Sequence, residues 1–182
     1  MAIYSHLKTG IRKGAFVALS DFFTDEQTAP IIFSHTGGSE PAESYVAIQI
    51  VDIRQSGRGY VSTLTNVDEE LTIQGNYLIT AQFSFCGSQS LEMSSVFTQR
   101  VGNNPIIHQE FSKYGLGYMN KTTIRRAPQK RETEWVEYQN IDVTFSYTVS
   151  TQQVVDVIEA VVLEDVTTGD TFVIPPETVI IP

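Results

Sequence analysis

The sequence of 182 residues has few of the residues on which disulfide formation and metal binding depend. Cys86 is the single cysteine, which excludes a disulfide within the chain and a cysteine-rich zinc site. The three histidines, His6, His35 and His108, are scattered, and none has the spacing of a metal-binding motif. We therefore expect no metal site and no cofactor.

The sequence also lacks the motifs of common catalytic and nucleotide-binding sites. It has no GxxxxGK[ST] loop and no GxSxG elbow. The stretch "GLGYMN", residues 115–120, lacks the third glycine of a dinucleotide-binding fingerprint, and "VDEE", residues 67–70, has no surrounding calcium-loop spacing. We predict no catalytic residues, and we expect that the protein is not an enzyme.

Long hydrophobic runs are missing as well. The apolar runs are shorter than the roughly 18 residues that a membrane-spanning helix needs, and the first residues lack the apolar core of a signal peptide. We therefore expect a soluble, unexported protein without a membrane partner. An apolar content of 41 % is ordinary for a folded chain, and the length predicts a single domain over residues 1–182.

Positive charge is scarce and unevenly placed. The formal net charge is −9, which argues against a protein that binds nucleic acid mainly through phosphates. Residues 121–131, "KTTIRRAPQKR", hold five of the twelve basic residues, whereas residues 141–182 contain seven acids and no Lys or Arg. Such polarity suits either unlike partners on different sides or copies of the chain in head-to-side contact, although a solvated loop beside an acidic tail is an equal alternative.

Two long alternating segments dominate the pattern. In "LTIQGNYLITAQFSF", residues 71–85, and again in residues 139–149, apolar and polar side chains alternate, which predicts strands with one buried and one polar face. "YVAIQIVDIRQS", residues 45–56, predicts a further strand that is covered on both sides in its first half, and residues 31–33 predict an edge strand. The polar segment 57–70 is interpreted as a loop.

Two segments have helical spacing. They are "IRKGAFVALSDFF", residues 11–23, and "LEMSSVFTQRV", residues 91–101, which Ser88 or Ser90 is expected to cap. The region 106–119 is apolar but irregular, with a short strand predicted near residues 115–119. Near the C-terminus, "VVLE" and "TFVIP" predict a hairpin, which belongs to an extension over residues 163–182. The fold class is therefore α+β: a mostly antiparallel β-sheet with two α-helices packed on one face, plus a C-terminal β-hairpin extension.

The order of these elements resembles the bacteriophage neck or tail terminator proteins. In that family a strand ends in an aromatic residue followed by a glycine that leads into a helix, and a later strand of the type "ldltfrYt" leads into "IesV". The matching residues here are Phe85, Cys86 and Gly87, then residues 141–147, and finally residues 158–161. The resemblance covers residues 11–162, and the C-terminal extension departs from it.

This resemblance implies a structural virion protein, made in the host cytoplasm and located in the neck or tail. It implies a ring of identical subunits, commonly six-fold, that ends the tail tube, joins it to the head connector and lets genomic DNA pass through its lumen without specific binding. A head-tail adaptor or another tail-completion protein is the alternative within this class. From a different class, Trp135, Tyr138 and the basic segment are compatible with a module that binds single-stranded nucleic acid.

If the protein works by assembly, its interface residues lie on three surfaces. The polar face of the second long strand is expected to be free to contact a neighbour, the basic segment to bind an acidic surface, and the apolar C-terminus to add to a neighbour's sheet edge. The candidates on the strand are Asp142, Thr144, Ser146 and Thr148; those in the basic segment are Lys121, Arg125, Arg126, Lys130 and Arg131; those at the C-terminus are Val179, Ile180 and Ile181.

Overall fold

The structure is a computed structural model that describes residues 2–34, 41, 43–58, 60–62, 70–131, 134–154, 161–164 and 171–174. In these ranges the helices are Ala2–Ala18 (α1), Ser90–Asn103 (α2) and Pro105–Ser112 (α3). No helix of the described ranges is long and apolar enough to cross a membrane.

Most strands of the described residues belong to one mixed but mainly antiparallel sheet. The strands are Ile31–Phe33 (β1), Tyr45–Gln55 (β2), Tyr60–Ser62 (β3), Glu70–Cys86 (β4), Leu116–Lys121 (β5), Arg125–Arg126 (β6), Gln129–Arg131 (β7), Glu134–Val136 (β8), Tyr138–Val154 (β9), Val161–Glu164 (β10) and Thr171–Ile174 (β11). The central path of the sheet runs β1-β2-β4-β9-β5, with β3 paired to β4 and β6 paired to β9, and only β1 and β2 form a parallel pair among the registers that are defined. This confirms the predicted α+β class.

The two alternating segments form the long strands β4 and β9, as predicted. Because side chains of a strand point alternately to opposite faces, every second residue from Ile79 to Phe85 and from Ile141 to Tyr147 enters the core. On β4 these buried residues include Phe83 and Phe85, and on β9 they include Phe145. Phe97 of α2 packs on the two β4 rings, with ring centres 4.7 and 5.2 Å away. The helices therefore cover the face of the sheet on which the sequence places the apolar residues.

The structure contains a third helix, α3, which the sequence pattern did not predict. Asn104 caps it, since its side-chain Oδ1 accepts a hydrogen bond from the backbone N–H of Ile106 at 3.0 Å, and Pro105 occupies the first turn. Ile107 and Phe111 then enter the core. The prediction of two helices is therefore corrected to three, and all three helices of the described chain pack on the apolar face of the sheet.

Helix α1 begins at Ala2, nine residues before the predicted start, and ends at Ala18 rather than Phe23. Glycines lower helix propensity, so the sequence around Gly10 and Gly14 does not predict this part of the helix. The structure shows why they are there. A Cβ on Gly14 would lie within 2.5 Å of three ring carbons of Phe111, so the missing side chain lets α3 pack directly on α1.

Gly87 carries the chain from β4 into α2, at the position where the sequence predicts the strand to end. Its φ of +95° lies in the left-handed region that other residues rarely adopt. An added Cβ would also lie 2.8 Å from the backbone Cα of Ser44. Helix α2 itself has Gln89 at its N-cap without a side-chain cap, so the predicted cap by Ser88 or Ser90 is wrong; the Gln89 N–H instead donates to the Ser44 hydroxyl at 3.2 Å.

Strand β2 is covered in its first half, as predicted, and exposed in its second half. Its first residues are buried, but Val51–Gln55 are exposed, and β1 pairs only with Val46–Ile48. The register with β4 slips between Ile50 and Asp52, so Val51 is an extra, bulged residue. The loop predicted for residues 57–70 also contains a short strand, β3, which pairs with the start of β4.

The contacts of the chain fall into two compact units, Met1–Gly59 with Gly75–Val149, and Tyr60–Gln74 with Ser150–Pro182. The first unit holds the helices and most of the sheet. The second holds the antiparallel pair of β10 and β11, in which Val161 lies opposite Ile174 and Glu164 opposite Thr171, so the predicted C-terminal pair of strands is confirmed. That the whole chain is one domain stays a prediction.

Candidate functional site

The sheet of the first unit has a second face, opposite the helices, which we call the polar sheet face. It is formed by the alternate residues that β2, β4 and β9 do not bury in the core, and hydroxyl and amide groups dominate it. Its polar members include Gln49, Asn76, Thr80, Gln82, Ser84, Asn140, Asp142, Thr144, Ser146 and Thr148. The four residues predicted on β9, Asp142 to Thr148, all lie here.

Hydrogen bonds between side chains link the two long strands across the polar sheet face. Gln82 Nε2 donates to Asp142 Oδ1 at 3.1 Å, and the hydroxyl groups of Thr80 and Thr144 lie 3.4 Å apart. Further along, the Thr148 hydroxyl donates to the side-chain oxygen of Asn76 at 2.9 Å. The residue numbers rise on one strand as they fall on the other, as antiparallel pairing requires.

The predicted β9 residues are therefore bonded within their own chain. Ser146 completes the set, because its hydroxyl donates to the Gly117 carbonyl of β5 at 3.3 Å. Thr148 is exposed, whereas Asp142, Thr144 and Ser146 are partly buried by their neighbours. Such mutual bonding holds the side chains in fixed positions, and it leaves them less free to contact a neighbour than the alternation alone suggests.

The basic segment is partly neutralised within the chain. Arg125 pairs with Asp142 of β9, and Arg126 binds both carboxylate oxygens of Glu137, with one nitrogen–oxygen distance of 2.8 Å. The hydrogen bond from Arg126, together with its charge, lowers the pKa of Glu137, while desolvation opposes this effect. The same hydrogen bond, then the charge of Glu137, raises the pKa of Arg126. The sequence predicts that these five basic residues bind an acidic surface of a partner. In the structure, Arg125 and Arg126 already have acidic partners within the chain.

The remaining basic residues differ in their surroundings. Lys121 is partly buried and its ammonium group lies against Gly102, in the last turn of α2, where the negative end of the helix dipole favours a cation. Lys130 is exposed on β7. The side chain of Arg131 lies outside the described residues, as do Val179, Ile180 and Ile181, so their predicted interface roles stay predictions.

A small apolar group, which we call the outer apolar cluster, lies on the polar sheet face at the end where β9 begins. Its buried members are Tyr45, Cys86 and Tyr138. Tyr138 is only 6 % exposed, so it cannot offer its ring to a nucleic-acid base, and the predicted stacking platform of Trp135 and Tyr138 is wrong in this respect. Ile32, Ala47, Ala127 and Val136 pack around the cluster.

Two short strands, β7 and β8, form a ribbon beside this cluster. Val136 is partly buried on the cluster, whereas its neighbour Trp135 is 69 % exposed, as expected when successive side chains of a strand point to opposite sides. Lys130 lies directly across the ribbon from Trp135. Trp135 and Lys130 are separate features of the sequence, and only strand pairing brings them together.

The residues considered for catalysis and metal binding have structural contacts. His108 donates from Nε2 to the Val101 carbonyl at 2.7 Å and stacks on Tyr118, and His6 packs on the ring of Tyr114. Cys86 is buried in the outer apolar cluster. His35 lies outside the described residues. In the part of the chain that the structure describes, no three His, Cys, Asp or Glu residues are grouped so that they could hold a metal ion.

The fold and this surface define an α+β protein whose sheet presents a rigid, hydrogen-bonded polar face and an exposed aromatic ribbon. Residues 6–171 match the family model of the phage neck terminator protein. The match covers most of the chain, so the protein belongs to that family, as its resemblance implied. It is therefore a structural protein of the bacteriophage neck and tail, associated with other head or tail proteins of the virion. No curated protein matches the chain.

Proposed function

We propose that this protein forms a closed ring, six-fold in symmetry, that ends the tail tube and joins it to the head connector, without enzymatic activity. The observation that carries the proposal is the match to the neck terminator family over residues 6–171. A protein that ends a tube has to match the rotational symmetry of the tube, and a ring of identical subunits does so with one repeated contact.

The surfaces of the first unit support this function. Cross-strand hydrogen bonds hold the polar sheet face in one arrangement, which suits a protein that acts by shape. The net charge of −9 opposes DNA binding, and Arg125 and Arg126 are paired with carboxylates of their own chain. DNA would therefore pass through the lumen of the ring without being held.

The polar sheet face, through Asp142, Thr144, Ser146 and Thr148, and the C-terminal residues Val179 to Ile181 are proposed as contact surfaces. An apolar C-terminal segment can add to a neighbour's sheet edge through main-chain hydrogen bonds. Deletion of residues 176–182 tests the second surface. We expect it to weaken assembly without lowering the melting temperature of the first unit, and unchanged assembly would remove these residues from the proposal.

Binding to immobilised partners tests which junction the protein makes. A tail terminator should retain tail tube protein, and a second, weaker contact should retain the head connector. A head-tail adaptor would show the reverse preference, with connector bound and tube protein in the flow-through. Retention of neither partner, by a chain that is folded by circular dichroism, would contradict the proposed function.

A further inference from the structure

The ribbon of β7 and β8 continues the hairpin that β6 and β9 begin. Arg126 of β6 lies opposite Gln139 of β9, and Gln129 of β7 lies opposite Val136 of β8, so one register runs through both pairs of strands. Among the described residues, β7 and β8 pair only with each other and are not joined to the main sheet. The ribbon is therefore the tip of a hairpin whose base belongs to the main sheet.

The ladder of this hairpin is interrupted where the ribbon begins. The last main-chain bond of the base runs from the Ala127 N–H to the Tyr138 carbonyl at 2.9 Å. The next residue, Pro128, has no N–H to donate, and Glu137 lies between β8 and β9 and belongs to neither strand. Because fewer hydrogen bonds resist bending at this position, the hairpin can bend between its base and the ribbon.

The bent hairpin covers the outer apolar cluster from outside the sheet. Tyr45 and Cys86 of this cluster lie directly opposite each other on β2 and β4, and they are 6 % and 0 % exposed. Of the partly buried residues that pack on the cluster, Ala127 and Val136 come from the hairpin, whereas the others come from β1 and β2. Folding of the hairpin therefore contributes to the burial of the cluster.

This cover is weakly held. Lys130 and Trp135 of the ribbon are exposed, and Val136 is only partly buried. The ion pair between Arg126 and Glu137 spans the interruption, but its side chains are 68 % and 41 % exposed, and exposed ion pairs stabilise little. A two-stranded ribbon by itself is marginally stable in water. A buried cluster thus lies beneath an element that few contacts hold in place.

We propose that the ribbon is a lid, which opens and closes over the outer apolar cluster by bending at Pro128 and Glu137, and that the ion pair between Arg126 and Glu137 is the latch that favours the closed state. Segments with few buried contacts open locally at a lower free energy than global unfolding. The open lid exposes the cluster to solvent while the helices and the main sheet stay folded. This property goes beyond the ring proposed above, because it belongs to the folded chain whether or not the chain assembles.

The reactivity of Cys86 tests the lid, because this residue is the only cysteine of the chain and is buried in the cluster. In dilute protein without denaturant, N-ethylmaleimide should modify Cys86 more slowly than in the unfolded chain, but faster than global unfolding allows. The rate should depend only weakly on urea below the unfolding transition, because lid opening exposes little surface. A rate with the full urea dependence of global unfolding would overturn the proposal, and so would a rate equal to that of the unfolded chain.

Substitution of either latch residue gives a second test. Arg126→Gln and Glu137→Gln should each raise the reaction rate of Cys86 about threefold, with unchanged melting temperatures. These substitutions change the local charge in opposite directions, so a direct electrostatic effect on the thiol would move the two rates apart. The matched control is Lys113→Gln, which removes a cation from the exposed ion pair with Glu110 of α3. Opposite shifts in the latch variants, or an equal rise in the control, would overturn the latch.

The two faces of β8 provide a third comparison. Val136→Ala should raise the reaction rate of Cys86 about fivefold, because it removes methyl groups that pack on the cluster. Trp135→Ala, at the exposed neighbouring position, should leave the rate unchanged. Hydrogen exchange of the Phe83 amide, in the buried part of β4, separates loss of the lid from loss of the fold and should not change. Equal rates of the two variants, or faster Phe83 exchange that accounts for the whole effect of Val136→Ala, would overturn the lid.

Discussion

The guanidinium of Arg126 binds both carboxylate oxygens of Glu137, eleven residues further along the chain. The pair connects β6 to the residue between β8 and β9, next to the outer apolar cluster. It also explains why a segment with five basic residues does not present five free cations. A consequence of this ion pair is a lowered pKa of the Glu137 carboxyl group, which can be measured.

The pKa of Glu137 should be below its ordinary value of 4.5, chiefly because of the hydrogen bond from Arg126. Since the folded-state pKa is depressed, the stabilisation from this pair is complete above the unfolded-state pKa and is lost as the pH falls through the folded-state value. An NMR titration of the Glu137 side-chain carboxyl carbon measures the midpoint. The Arg126→Gln variant should return it to the ordinary range, and identical midpoints in both proteins would contradict the assignment.

Gly14→Ala should destabilise the protein by about 1 to 3 kcal/mol, because the new methyl group would overlap the ring of Phe111 and push α3 away from α1. The matched control is Gly102→Ala in α2, where an added Cβ would meet only the flexible end of Lys121. Alanine is the better helix former at both positions, so the control should be neutral or stabilising. Urea unfolding measures the difference, and equal effects of the two substitutions would show that the close helix contact is not what requires Gly14.

Phe97→Ala should cost about 3 to 5 kcal/mol, because it removes a fully buried ring that packs on Phe83 and Phe85. Leu91→Ala, on the same helix but 62 % exposed, should change the free energy of unfolding by less than about 0.5 kcal/mol. Thermal or urea unfolding of the two variants checks both values. A small loss for Phe97→Ala would indicate that α2 does not cover the centre of the sheet.

Arg100→Ala should destabilise the end of α1. The Arg100 guanidinium donates to the Ala18 carbonyl at 3.0 Å and pairs with the carboxylate of Asp21, so it caps one helix from another. Because the pair is partly exposed, we expect a loss of about 1 to 2 kcal/mol. Hydrogen exchange of the amides near residue 22 should rise in this variant. Asp21→Asn, which leaves the bond to Ala18 in place, should have the smaller effect; the opposite order would place the stabilisation in the ion pair.

The long strands could be predicted from the sequence because their period is local. Alternation in β4 and β9 identified the buried faces correctly, including Phe83, Phe85 and Phe145. Helix α3 was not predicted, because its residues show no such period. It has only eight residues, and Ile106 is apolar but exposed, so no clear helical stripe marks it. The signal that was present is the pair Asn104 and Pro105, an N-cap residue followed by a first-turn proline.

The candidate site was only partly predictable, because its contacts are between residues far apart in sequence. The polar faces of β4 and β9 were visible separately, but the bond between Gln82 and Asp142 depends on strand pairing. The same holds for Arg125 with Asp142, and for Lys130 opposite Trp135. Burial of Tyr138 could not be deduced from its position beside a basic segment, since the outer apolar cluster forms only when three strands meet.

Negative-stain electron microscopy of the purified protein, alone and with tail tube protein, tests the central claim most directly. We expect closed rings with one dominant symmetry, six-fold, and the same rings at the ends of tubes when tube protein is present. Particles of a single 20.3 kDa chain at every concentration, together with tube ends that carry no additional density, would contradict it.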